Sequence, residues 1–197
     1  MLADFYLYSV EKSLGTMMDH IDPIRKAAEC IINAVSNEKR VFVFDRYGIL
    51  DSELVDRSSG LMLFRAYTFK PAPGDILLLA SLQADHESDL TLLNEAHSRG
   101  AIVITISPEG KLSASADYAL INRYDSTNGI VTLPDTTRKF CPMSGIINGM
   151  LAWTLTAEIT ASMIAAGTPP TVIWGDYFKG GEEHRSAAKK RFISLGY

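Results

Sequence analysis

Between Ile76 and Ile106 two apolar runs, "ILLLA" and "AIVITI", flank the mixed stretch "SLQADHESDLTLLNEAHSRG". The runs are too short for buried helices, and the second is rich in β-branched residues. They therefore predict strands over 76–80 and 101–106, covered on both faces. The stretch between them predicts a helix over 87–98, closed by Gly100. "RVFVFD" (40–45) predicts another buried strand, and "DSELVDRSSG" a helix after it with Asp51 or Ser52 as N-cap and Gly60 as stop. "GLMLFRAYTF" (60–69) predicts a strand ended by "KPAPGD", and "ADYALIN" (116–122) a shorter fifth one. Strands alternating with helices imply βαβ units, hence an α/β protein with a parallel sheet and helices on both faces.

From Leu2 to about Asn37 the apolar positions recur at three- and four-residue steps, the period of a helix. Pro23 after Asp22 predicts a helix start or a kink there. We read 1–37 as a helical extension of one domain spanning 1–197. "CPMSGIINGMLAWTLTAEITASMIAAG" (141–167) is apolar nearly all round and long enough to span a bilayer. Glu158 near its centre would be expensive in lipid, so the reading is a helix buried in the core or at a subunit interface, with no membrane partner. "PPTVIWGDYFKGGEEHRSAAKKRF" predicts a last short strand, a glycine turn and a basic helix.

The formal net charge of -4 argues against a nucleic-acid partner, which calls for a basic stripe. Cys30 and Cys141 form no CxxC spacing, so neither a disulfide framework nor a zinc knuckle is indicated. "MLADFYLYSVEK" lacks the basic n-region of a secretory signal, and a cytoplasmic location is expected.

In an open parallel sheet a ligand sits at the carboxyl ends of the strands, where helix N-termini favour anions. Ser81 and Gln83 after the third predicted strand, and Ser107 after the fourth, can donate to phosphate oxygens; equally, the serines can simply cap their turns. Arg46 can meet a phosphate or pair with Asp45, Asp51 or Asp56. "DRYGIL" is not GxGxxG, no Walker A loop occurs, and "CPMSGI" is not GxSxG. Histidine spacing matches no metal motif, and neither metal nor cofactor is expected. His184, in "GGEEHR", stands with Glu182 and Glu183 at a predicted helix start, where it can transfer protons or merely sit on the surface.

With these residues in view, the chain resembles the sugar isomerase (SIS) domain family, in its phosphoheptose-isomerase-like branch. "GDILLLASLQ", "LLNEAHSRGAIVITISP", "CPMSGIINGMLAWTLTAEI" and "PPTVIWGDYFKGGEEHR" carry the likeness. It implies a three-layer αβα sandwich around a five-stranded, mainly parallel sheet of Rossmann type, a homodimer formed through helices, and a sugar phosphate held by hydroxyl-bearing turns. Ser81 and Ser107 match the family's phosphate turns, and Glu53 falls near its catalytic base. The chain departs where that branch carries Gly-Thr-Gly-His-Ser, showing "DRYGILDS", and where it carries Ser-Asn-Ser-Gly, showing "SLQA". Two functions follow from the resemblance. One is a sugar-phosphate (aldose–ketose) isomerase with Glu53 as base, Glu183 or His184 as acid, and Arg46, Ser81, Gln83 and Ser107 on the phosphate. The other is a non-catalytic module, a sugar-phosphate sensor or a dimeric scaffold.

Overall fold

The apolar runs are strands in the computed structural model, which describes residues 2–55, 57–68, 70–124, 129–132, 137–173, 175 and 179–197, without the side chains of residues 18 and 20. β1 (Val41–Asp45), β2 (Phe64–Ala66), β3 (Ile76–Ala80), β4 (Ile102–Ser107) and β5 (Tyr118–Ile121) form one sheet in the order β2-β1-β3-β4-β5. Every pairing is parallel, with Asp45 opposite Ala80 and Ala80 opposite Ile106. Chain order reverses between β1 and β3, which makes the carboxyl ends of these two strands the switch point of the sheet. β6 (Val131–Thr132) and β7 (Lys139–Phe140) form a separate antiparallel pair.

Alternate residues of the strands feed two cores. Ile76, Leu78 and Ala80 pack with the helices α2 (Ile21–Ser36), α3 (Ile49–Leu54) and α6 (Ser144–Ala165) on one face. Leu77 and Leu79 pack with α4 (Glu87–Ser98) and α5 (Lys111–Ser115) on the other. Helices on both faces of a five-stranded parallel sheet make the expected three-layer α/β sandwich. All five side chains of β3 are fully buried, each large one contributing about 1.5–3 kcal/mol of apolar transfer energy.

Boundaries differ from expectation where neighbours override local signals. α1 (Leu2–Gly15) leads through a 3-10 turn at Thr16–His20 into α2, so the break falls before Pro23, which lies in the first turn of α2. There its missing N–H is of no consequence. α3 opens at Ile49, ahead of Asp51 and Ser52, because the Asp45 carboxylate accepts the amides of Ile49 and Leu50. It ends at Leu54, well before Gly60. β2 is shorter than the run 60–69, of which residue 69 lies outside the described residues. As an edge strand β2 has one neighbour, and Leu61 bridges instead to Val172. The expected last strand runs into residues 174 and 176–178, also outside the described residues. The basic helix is α7 (Gly181–Leu195), while the five-residue α5 has no sequence signal strong enough to have been foreseen. Among the described residues no helix is long and apolar enough to cross a membrane.

One polar group clamps the amino ends of the two central strands. Asp75, 3% exposed, accepts the backbone amides of Arg40 at 2.9 Å and Ala72 at 2.7 Å. It also accepts Arg40 Nε at 3.1 Å and Nη2 at 2.6 Å. Burial works to raise the Asp75 carboxyl, but these hydrogen bonds outweigh it and hold it below its ordinary value.

Candidate functional site at the carboxyl rim

Ser81 follows β3 directly and Ser107 ends β4, so the parallel register places both on one rim of the sheet, as neighbours. The Ser81 amide donates to the Ile106 carbonyl at 3.0 Å and continues the ladder past the strand end. Arg46, directly after β1, shares this rim. Three sequence-derived candidates are thus brought together by the βαβ topology.

The sequence did not reveal what these side chains hold. Asp89, in the first turn of α4 and 1% exposed, accepts the Ser81 hydroxyl at 2.8 Å and forms an ion pair with Arg46. His86 Nδ1 lies 3.7 Å from the same carboxylate. The Ser81 hydroxyl oxygen also accepts the Gln83 amide at 3.2 Å, so Gln83 takes part through its backbone. The Ser107 hydroxyl is fully buried and donates to the Pro108 carbonyl at 3.2 Å. On the β1 side the Asp45 carboxylate accepts the amides of Tyr47, Ile49 and Leu50 at 3.0–3.1 Å. Two internal carboxylates therefore saturate donors that an open anion site would leave available. Asp at the third position of α4 reads in the sequence as complementing the helix dipole; nothing there shows which side chains converge on it.

A buried amide chain ties α6 to this rim. Asn148 donates to the Ser81 carbonyl at 3.1 Å and accepts Asn122 Nδ2 at 2.6 Å, while the Asn122 amide group also donates to the Ser144 carbonyl at 2.9 Å. Both asparagines are about fully buried, so each lost partner would leave a polar group with a desolvation penalty of about 1–3 kcal/mol. An asparagine within an apolar helix was the available signal, because a buried amide needs partners.

Between α3 and the first turns of α6 lies a cavity of 520 Å³, walled by Ile49, Glu53, Leu82, Ser144, Met150 and Trp153 among others. It is large enough for a small metabolite. Among the described residues Glu53 is its one carboxylate: it accepts Trp153 Nε1 at 3.0 Å and pairs with Arg57. Ser144 adds a buried hydroxyl with no hydrogen-bond partner among the described residues. Leu82, next to Ser81 in the chain, lies in the cavity wall, whereas Arg46, Ser81, Gln83, Asp89 and Ser107 do not. Glu183 and His184 are exposed in the first turn of α7 and are not in the cavity wall. Burial pushes the Cys30 thiol up from its ordinary value, against the lowering effect of a hydrogen bond with Tyr118.

No family model and no curated protein matches this sequence. Solved structures do match. A phosphoheptose isomerase from Neisseria gonorrhoeae is 15% identical with a TM-score of 0.60, over 81% of this chain and 97% of that one. The sugar isomerase domain of an RpiR transcription factor from Sphaerobacter thermophilus is 15% identical with a TM-score of 0.56, over 98% and 99%. The NanR protein of Vibrio vulnificus, solved in complex with ManNAc-6P, is 10% identical with a TM-score of 0.58, over 99% of this chain and 70% of that one. The resemblance read in the sequence thus extends to the tertiary structure, and the chain has the fold of the sugar isomerase domains.

Proposed function

We propose that this chain is a phosphosugar-binding SIS-domain protein that seats the sugar in the cavity between α3 and α6, with its phosphate toward Arg46, Ser81 and Ser107. The observation that carries this reading is the 520 Å³ cavity at the carboxyl rim with the Glu53 carboxylate in its wall. The structures of like fold include sugar-phosphate isomerases and a regulator complexed with a sugar phosphate. As an isomerase, the protein uses Glu53 to move a proton between adjacent carbons of an aldose or ketose. Glu183 and His184, expected from the sequence to supply the acid, lie outside the cavity wall. That same separation favours a second reading, a non-catalytic sensor, since the described residues of the cavity wall offer Glu53 no acid partner for the sugar oxygens.

Thermal denaturation with a panel of sugar phosphates tests binding. At a hundred times Kd a ligand adds about 2.7 kcal/mol, a rise in Tm of roughly 5–10 °C for a chain of this size. The unphosphorylated sugars should produce no rise, and Ser81→Ala with Ser107→Ala should abolish it. A flat response across the panel would remove the proposal and leave the scaffold role.

We further propose a cytoplasmic homodimer that covers α6 toward its carboxyl end, where Ile164 is exposed away from the cavity wall. An exposed apolar side chain there suits a subunit contact. Sedimentation equilibrium should return twice the chain mass for the wild type and a lower mass for Ile164→Arg; a monomeric wild type would refute the assembly.

A further inference from the structure

We propose that Asp89 is the specificity-determining residue of this rim: a built-in carboxylate that occupies the place of the ligand's phosphate and must give up Arg46 and Ser81 before a phosphate can engage them. The inference rests on the phosphosugar reading and adds what controls it.

The strand order opens its crevice between the carboxyl ends of β1 and β3, where a ligand of an open α/β sheet is expected. Arg46 leaves β1 on one side of that crevice and Ser81 leaves β3 on the other. Asp89 bridges them, accepting the Ser81 hydroxyl at 2.8 Å and pairing with the Arg46 guanidinium. A guanidinium and a hydroxyl converging on one anion are the donors that a phosphate oxygen also takes. Ser81 has a single hydroxyl proton, for which the Asp89 carboxylate at 2.8 Å competes with the Gln83 carbonyl at 3.0 Å, so it cannot serve a ligand while either holds it. Asp89 sits in the first turn of α4, where the helix dipole attracts an anion. A phosphate entering beside it would meet a like charge with little water between them, since the Asp89 side chain is 2% exposed. The neighbouring loop offers no substitute, because the amides after β1 are taken by Asp45. Binding of a phosphate here is therefore an exchange of anions rather than the filling of an open site.

Asp89→Asn tests this, because the amide keeps the size and one oxygen acceptor, which can serve Arg46 or Ser81 but not both, while the charge is removed. Titration calorimetry with inorganic phosphate and with fructose 6-phosphate should show at least tenfold tighter binding of both to the variant than to the wild type. Arg46→Gln in the Asp89→Asn background should cancel the gain. Equal affinities in wild type and a variant shown to be folded by circular dichroism would overturn the role of Asp89 and leave the phosphosugar reading standing. Binding by the variant alone would support Asp89 as the internal anion and refute a phosphosugar as the ligand of the wild type. No binding by either would refute both. A measurement that needs no variant guards against misfolding: in the wild type at saturating phosphate, the Asp89 carboxyl carbon resonance should shift as its partners leave. An unmoved resonance at saturation would overturn the exchange.

Discussion

Asp75→Ala is expected to lower the unfolding free energy by about 1–3 kcal/mol, the cost of leaving buried polar groups without their acceptor; the Arg40 guanidinium, 35% exposed, is partly compensated by water. The truncation leaves the Arg40 guanidinium and the amides of Arg40 and Ala72 without their acceptor at the edge of the core. It also unfastens the amino ends of β1 and β3, which run side by side from Val41 opposite Ile76. Urea denaturation measures the effect, and its pH dependence identifies the cause. The folded carboxyl titrates below its ordinary 3.8, so its stabilisation is complete above that value and is lost as the pH falls through the lower folded one. The gap between wild type and Asp75→Ala should therefore be constant at neutral pH and narrow in acid. A gap that does not change down to the acid limit of folding would show that packing, not charge, accounts for the loss.

Glu53→Gln should reduce solvent-deuterium incorporation into a bound sugar phosphate by about 10²–10⁴-fold, the usual contribution of a positioned general base, and leave binding nearly unchanged. Structure makes the substitution a clean one. Glutamine retains an oxygen to accept Trp153 Nε1, and the Arg57 partner, 57% exposed, gives the ion pair little stabilising value. A fall in activity could not then be ascribed to a collapsed cavity. Proton exchange that continues at the wild-type rate would remove Glu53 from the chemistry. Ligand-induced stabilisation without any exchange in the wild type would favour the sensor.

The strands around Ile76–Ala80 and Ile102–Ser107 were legible because a buried parallel strand has to be apolar on both faces, and few other elements combine such a run with short length. α4 was legible from its first residue to its last, since an apolar period ends there in glycine. α3 was displaced because its start is set by Asp45, a residue of the preceding strand, whose carboxylate outcompetes the local caps Asp51 and Ser52. The placing of Ser81, Ser107 and Arg46 on one rim also followed from pattern alone: in a parallel sheet every strand end after a βα turn faces the same way.

The amino-acid sequence by itself thus determined the layers, the direction of the strands and the rim at which a ligand is sought, because these follow from the period of apolar side chains. Only the tertiary structure decided which carboxylate meets Arg46 and Ser81, and that the cavity opens beside Glu53 rather than beside His184. Arg46 has several acidic residues close to it along the chain, and nearness in sequence cannot rank them. Asp89 pairs with it because the strand order sets β1 next to β3, so that the first turn of α4 comes down between their ends.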